Sequence, residues 1–267
     1  MNTSDRKRVT ANGHELFYTF LNEKSMESGK SWLVFLHEGL GSVAQWLDFP
    51  LLVSNNTGCP ALLYDRYGYG ESEPLKEPRN HDYLEQEALK ALPDVLTALK
   101  IEEPVIPVGH SDGGSIALLF AAHFPEKVAG IITEAPHVMV EEISLAGIRE
   151  AVSFYKSGVL KELLAKYHGE RTDSMFFGWA DTWLSFEDIG WNFEHLLPNI
   201  KAPLLAIQGE DDQYGSAAQI DSIVDKVSGP AEKFMIPHCG HIPHLEARAD
   251  VLQRMTGFIQ QIVGQQK

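Results

Sequence analysis

A serine hydroxyl is a poor nucleophile at neutral pH, and the run Val105-Ile106-Pro107-Val108-Gly109-His110-Ser111-Asp112-Gly113-Gly114 carries the features that make one reactive. A short apolar segment ends in Gly-x-Ser-x-Gly and passes into a helix-like segment, the pattern of a sharp strand-to-helix turn that exposes its central serine. Gly109 and Gly113 flank Ser111 where larger side chains would meet tightly folded backbone. The helix N-terminus just beyond offers amide donors to a developing oxyanion. Gly-x-Ser-x-Gly also arises in ordinary glycine-rich turns. A nucleophilic serine therefore needs partners: a base for its proton and an acid to hold the base. Both are present, in the chain order Ser, acid, His. Pro203-Leu204-Leu205-Ala206-Ile207-Gln208 reads as a buried strand ending in Gly209-Glu210-Asp211-Asp212, and Asp212 is the expected acid. Phe234-Met235-Ile236-Pro237 is another apolar run, followed by His238-Cys239-Gly240-His241, and His241 is the expected base. All three residues sit just past the C-terminal ends of predicted strands, the edge where open α/β sheets assemble their sites.

At this point the chain resembles the α/β-hydrolase fold superfamily over nearly its whole length. The resemblance is carried by His37-Glu38-Gly39-Leu40-Gly41-Ser42, Asp65-Arg66-Tyr67-Gly68-Tyr69-Gly70-Glu71-Ser72, Gly109-His110-Ser111-Asp112-Gly113-Gly114, Gly209-Glu210-Asp211-Asp212 and Gly240-His241, five motifs in one order. It implies an α/β fold with a mostly parallel central sheet, helices on both faces, and a site of Ser111, Asp212 and His241. The oxyanion hole then draws on the Asp112 N–H, the residue after the nucleophile, and on the loop after the Trp32 to Leu36 strand. There the resemblance points to the Gly39 N–H, with Leu40 as the alternative if the loop shifts by one residue. One departure stands out: family members usually carry His-Gly where this chain has His37-Glu38. A carboxylate pointing inward at Glu38 would oppose an oxyanion, so Glu38 is expected to face away or to pair with a cation.

Elements must bring these residues together. Arg6 to Ala11 and His14 to Phe20 read as strands joined by Asn12-Gly13, a hairpin signal because both turn positions tolerate positive φ. Trp32 to Leu36 and Ala61 to Tyr64 are apolar runs of the kind buried on both faces, and helical periodicity follows at Val43 to Ser54 and Tyr83 to Leu99. Val128 to Thr133 supplies a strand after the nucleophile helix, and Leu245 to Ile262 is helix-like. Strand and helix alternate as a parallel sheet with crossovers requires. From Pro136 to Pro198 the periodicity is helical, with Trp179, Trp183 and Trp191 and no convincing strand. We read residues 136–198 as a helical cap inserted in a core formed by 1–135 and 199–267.

Bulk properties suit one globular core with an insertion: 267 residues, 44% hydrophobic and 10% aromatic. With 37 acidic against 22 basic residues the formal charge is -15, which disfavours nucleic acid and anionic membrane surfaces as partners. Met1 to Thr10 is polar and basic rather than leader-like, and no window approaches the ~18 apolar residues of a membrane span. The expectation is a cytoplasmic protein, monomer or homodimer being left open. Cys59 and Cys239 are far apart and in no ligand spacing, and Cys239 reads as a small buried filler. His238 and His244 flank His241 without supporting carboxylates or cysteines, so neither a metal nor another cofactor is expected.

Several residues hold alternative readings. Glu134, in Glu134-Ala135-Pro136-His137, is the runner-up for the acid, the structural reading being that Glu134 and His137 hold the hinge of the cap by hydrogen bonds. Asp211 adjoins Asp212, but adjacent side chains diverge in an extended loop, and Asp211 is expected to cap the following helix. Trp179, Trp183 and His137 are the expected substrate contacts, since aromatic residues of an inserted cap commonly line apolar pockets. The reading is a hydrolase of a small carboxylic ester or lactone. The alternatives are carbon-carbon bond cleavage, with Arg149 or Lys156 holding substrate carboxylates, and a slow-turnover ligand receptor, which should expose an apolar patch on its cap.

Overall fold

The computed structural model of the protein describes residues 7–264. Arg6, and the first residues of the polar opening Met1 to Thr10, lie outside them. Strands β1 (Lys7–Ala11) and β2 (His14–Leu21) pair antiparallel. Asn12 and Gly13 take φ of 48° and 78° between them, the paired positive values of a type I′ turn. The remaining strands are β3 (Leu33–Leu36), β4 (Ala61–Tyr64), β5 (Ile106–His110), β6 (Ile131–Glu134), β7 (Leu204–Gly209) and β8 (Ala231–Ile236). They form one eight-stranded sheet in the order β1-β2-β4-β3-β5-β6-β7-β8. Pairing is parallel from β4 to β8 and antiparallel between β2 and β4.

Strands β3 to β7 are buried along their whole length because helices cover both faces. Successive side chains point to opposite faces. Val34, Leu36, Leu62, Ile131 and Leu204 join one core with Ile116 and Phe120 of α3 (Asp112–His123). Leu33, Phe35, Leu63, Ile106 and Ile132 join the other, against Phe49 and Val53 of α1 (Phe49–Thr57). The helix over residues 83–98, α2, contains a π-helical stretch at Glu87–Ala91.

Two expected helices are broken. Val43 to Ser54 divides into a 3₁₀ turn at Val43–Trp46 and then α1, because Leu47 turns out at φ 54° and Pro50 has no N–H for a continuing helix. Leu245 to Ile262 divides at Ala247, with φ of -125°, into short α8 (Pro243–Glu246) and α9 (Arg248–Gly264). Between β6 and β7 the chain forms α4 (Glu142–Lys156), α5 (Val159–His168) and α6 (Thr172–Ile189), with an isolated antiparallel bridge joining Met139 to Asn192. After β7 comes α7 (Ala217–Lys226). Among the described residues no helix is long and apolar enough to cross a membrane.

Candidate active site

Ser111 leaves β5 and caps α3 with φ 52° and ψ -117°, a backbone region that a residue with a Cβ occupies only under constraint. The constraint is glycine-dependent on both sides. A Cβ on Gly109 would lie 2.1 Å from the Gly113 carbonyl oxygen, and one on Gly113 would lie 1.9 Å from the Leu36 carbonyl oxygen. Only glycine lets the helix start this close to β3. Ser111 and His241 each keep 8% of their surface exposed, and both border a cavity of about 200 Å³.

His241 Nδ1 lies 2.9 Å from Asp212 Oδ1. The same carboxylate oxygen accepts the Tyr214 and Gly215 backbone N–H groups, and Gln208 Nε2 donates to the other oxygen. Burial raises the Asp212 carboxyl, but the bond and charge of His241, the Tyr214 N–H and the nearby His137 together outweigh that and hold it below the ordinary value. Glu134, the other candidate acid, is engaged elsewhere: its Oε2 lies 2.9 Å from both the backbone N and the Nδ1 of His244. It braces α8 behind His241 rather than a hinge of the insertion. His137, between β6 and α4, exchanges bonds with Ser115 through its backbone and reaches the Tyr214 carbonyl through Nε2. Asp211 is exposed, 4.0 Å from His238. It does not cap α7: the Ser216 hydroxyl takes the Ala218 N–H.

The expected oxyanion donors begin at two differently held segments. Asp112 is the first helical residue of α3, so its N–H can have no partner within the helix. Its side chain is fully buried and accepts from Tyr83 OH at 2.7 Å, Trp183 Nε1 at 3.0 Å and Arg66 Nη1 at 3.4 Å. The loop holding Gly39 and Leu40 closes through Gly41 N–H to the Glu38 carbonyl. Arg66 Nη2 donates to the Glu38 and His37 carbonyls, and Arg66 N–H donates to His37 Nε2. That leaves His37 Nδ1 as the donor to the Glu38 carbonyl. Burial and the Arg66 charge hold His37 well below its ordinary pKa, so it works as a neutral strut. His168 of α5 does the same from above: its Nδ1 accepts the Gly70 N–H and its Nε2 donates to the Leu40 carbonyl. Glu38 does not face away: its Oε2 lies 3.5 Å from His110 Nδ1.

The helices between β6 and β7 supply the far wall. Trp179, Trp183, Ile148, Leu160 and Leu164 border the cavity, with His137 from the start of the same segment and Leu40, Tyr214 and Ile242 from elsewhere in the chain. Trp179 sits on the Gly39 loop so closely that a Cβ on Gly39 would lie 2.1 Å from its Nε1. Trp191 is instead packed away, stacked on Phe186. Burial, then the neighbouring His241, holds His137 below its ordinary pKa, and its buried Nδ1 has no protein partner among the described residues. Arg149 and Lys156 correct an expectation: Arg149 is exposed and paired with Glu142 and Glu187, Lys156 is exposed, and neither borders the cavity. Among the described residues no lysine or arginine does. Burial pushes the Cys239 thiol up to about 11, and no group of three or more potential ligands among the described residues is arranged to hold a metal ion. Arg66, His110 and His168 were not singled out from sequence, although Arg66 lies in the Asp65 to Ser72 motif and His110 inside the nucleophile turn.

A mostly parallel sheet with a serine at the turn after β5, and an acid and a histidine after β7 and β8, defines the alpha/beta hydrolase class. The family model described as "Alpha/beta hydrolase family" matches residues 33–254, and the chain belongs to that family. Its relatives include mouse "Serine hydrolase BPHL", 27% identical over 258 residues that cover 95% of this chain and 86% of that protein. Another is the "2-hydroxy-6-oxononadienedioate/2-hydroxy-6-oxononatrienedioate hydrolase" of Paraburkholderia phymatum, 27% identical over 263 residues and 88% of each chain. Among solved structures, a membrane phospholipase A superposes with a TM-score of 0.78 at 19% identity, over 97% of this chain and 86% of that one. The enol-lactonase of Burkholderia xenovorans LB400 does so with 0.73 at 20%, over 95% and 99%. The structural likenesses show the fold. The family and the names of the sequence relatives support hydrolase activity.

Proposed function

We propose that this chain is a serine hydrolase that cleaves a small carboxylic ester or lactone through an acyl-enzyme on Ser111. The observation that carries the reading is His241, paired at 2.9 Å with Asp212, facing the same small cavity as a serine held in a constrained strand-to-helix turn. His241 takes the Ser111 proton as the hydroxyl attacks the carbonyl, then returns it to the leaving group. Asp212 orients His241 and stabilises its charged form. The Asp112 N–H and the Gly39 N–H, with Leu40 as the alternative, stabilise the oxyanion. Water activated by His241 then clears the acyl group. Residues 136–198 act as a cap over a core of 1–135 and 199–267, and Trp179, Trp183 and His137 contact the substrate. No cofactor is required, and the charge of -15 argues against nucleic acid or an anionic membrane as partner.

Carbon-carbon bond hydrolysis is the second reading, favoured by the name of the Paraburkholderia relative. Against it stands the lining: a dicarboxylate product of ring cleavage needs a cation, and Arg149 and Lys156 are outside the cavity. A ligand receptor is the third, and Phe154, Val159 and Leu163 do expose apolar surface on the insertion. A screen of short-chain and long-chain esters, lactones and a dienone ring-cleavage product, with Ser111→Ala as blank, separates the three. Turnover confined to the dienone would replace the ester reading, and the absence of steady turnover on any of them would favour the receptor.

A further inference from the structure

The residue before Ser111 is a histidine whose two ring nitrogens face two different catalytic loops. His110 Nε2 lies 2.7 Å from the His241 carbonyl oxygen, and His110 Nδ1 lies 3.5 Å from Glu38 Oε2. The ring is fully buried, with the rings of His241 and His244 at 5.1 and 5.2 Å and that of Trp46 at 6.3 Å. The inward turn of Glu38 is built into the loop: a Cβ on Gly41 would lie 2.3 Å from Glu38 Oε2, so the glycine three residues on makes room for the carboxylate. That carboxylate borders the cavity one residue before the expected oxyanion donor Gly39, where an uncompensated negative charge would oppose the developing oxyanion.

We propose that Glu38 and His110 form an ion pair that positions the oxyanion loop, the nucleophile turn and the His241 loop against one another and cancels the Glu38 charge at the reaction centre. Both are positioning residues, and their effect on rate rests on the serine-hydrolase reading. Burial lowers the His110 imidazole, but Glu38, the Glu134 carboxylate from the end of β6 and the His241 carbonyl outweigh it and hold the ring above its ordinary pKa. Burial raises Glu38, and His110, with smaller contributions from His37 and the loop backbone, outweighs that in turn, taking Glu38 down to about 2. The two partners therefore shift in the senses a shared charge pair requires. When His110 loses its proton while Nε2 still donates to the His241 carbonyl, the Nδ1 lone pair faces a carboxylate. Attraction between the loops becomes repulsion, and the donor at Gly39 moves off the position the oxyanion will occupy.

The test follows the His110 ring by NMR titration in the full-length wild type and in Glu38→Gln, alongside kcat and KM on a short p-nitrophenyl ester and the rate of inactivation by a fluorophosphonate. In the wild type, His110 should titrate above about 6.5, the ordinary imidazole value, and in Glu38→Gln its midpoint should drop below it. Loss of a contact that matters only in the transition state should lower kcat and the inactivation rate by about tenfold or more while KM stays within about threefold. His110→Gln keeps a donor for the His241 carbonyl but not the charge, and should lose rate similarly; it replaces Glu38→Gln if that variant fails to fold. Titration of wild-type His110 at or below its ordinary value overturns the proposal, and so does a folded Glu38→Gln with wild-type kcat. Fluorophosphonate labelling of Ser111 keeps the two readings apart. A labelled enzyme indifferent to Glu38→Gln retires the ion pair alone, and an unlabelled wild type retires the hydrolase reading while the His110 titration still judges the pair.

Discussion

Ser111 sits at φ 52° and ψ -117° with glycines packed against backbone on either side, so its replacements separate chemistry from strain. Ser111→Ala should lower hydrolysis by about 10⁴-fold or more, the scale of removing a triad nucleophile. A fluorophosphonate should label the wild type at Ser111 alone. Ser111→Gly should be equally inactive yet melt higher than Ser111→Ala. Release of ~1–3 kcal/mol of backbone strain exceeds the ~0.5–1 kcal/mol entropic cost of glycine; a lower melting temperature for the glycine variant would show that the turn is relaxed. For the acid, Asp212→Asn should cost on the order of 10³- to 10⁴-fold in rate in folded protein, because an amide cannot hold the same His241 tautomer or its charged form. Glu134→Gln should instead lower stability by about 1.5–3 kcal/mol, the worth of a buried charged hydrogen bond, with a much smaller effect on rate. If kinetics and thermal melts ranked the two variants the other way round, Glu134 would be the acid.

Elements meet at this site through polar struts rather than through packing alone. Trp183 of α6 reaches down to the Asp112 carboxylate at the start of α3, His168 of α5 joins the Gly70 and Leu40 segments, and Arg171 donates to the Gly70 and Ser72 carbonyls. Trp183→Phe removes one of the donors to a fully buried carboxylate, so it should destabilise the protein by about 1.5–3 kcal/mol beyond the small loss of ring area. Chemical denaturation measures it; a loss within error would mean that Tyr83 and Arg66 satisfy Asp112 unaided. The Glu38 and His110 pair joins loops in the same way, and its contribution to stability has a pH window. Glu38 is depressed to about 2, so its share is present above the ordinary carboxylate range and lost as pH falls toward about 2. His110 is raised, so its share is full below about 6.5 and lost as pH rises through its elevated value. The melting difference between wild type and Glu38→Gln should therefore be largest between about pH 5 and 6.5 and shrink on both sides. A difference that is flat with pH would mean that the pair holds the loops by shape alone.

At the scale of the whole molecule, charge and cavity act together on substrate choice. The chain carries a formal charge of -15, and among the described residues no lysine or arginine borders the cavity. A substrate carboxylate would lose its hydration there without gaining a cationic partner. A neutral short-chain ester should therefore show at least about tenfold higher kcat/KM than an otherwise matched ester bearing a free carboxylate. The part of the gap due to long-range repulsion should narrow as salt is raised, since a Debye length of about 8 Å at physiological ionic strength already screens much of it. Equal rates, or a preference for the anionic ester, would mean that a cation reaches the substrate from outside the described lining, and would revive the carbon-carbon reading.

Local rules were enough for the parts of this protein that local physics governs. Period and burial made the strands legible, because a strand covered on both faces must be apolar throughout. Asn12-Gly13 and Gly109-His110-Ser111-Asp112-Gly113 were legible because only certain residues tolerate those backbone angles and approaches. The chain order of Ser111, Asp212 and His241 was legible because each follows a strand on one sheet edge. Long-range contacts decided the rest. Glu38 looked like an intruder in the oxyanion loop until the fold brought His110, 72 positions later, against it. Glu134 and Asp212 were rival acids in sequence, and the fold pairs Glu134 with His244 and Asp212 with His241. Arg149 and Lys156 were plausible anion holders by position, and the fold turns both to the surface. Helix breaks at Leu47 and Ala247 likewise escaped periodicity, which registers the buried stripe but not the point where the path of the backbone changes direction. Backbone geometry and burial leave their mark on neighbouring residues, whereas the partner of a buried charge lies anywhere in the chain, and only the tertiary structure names it.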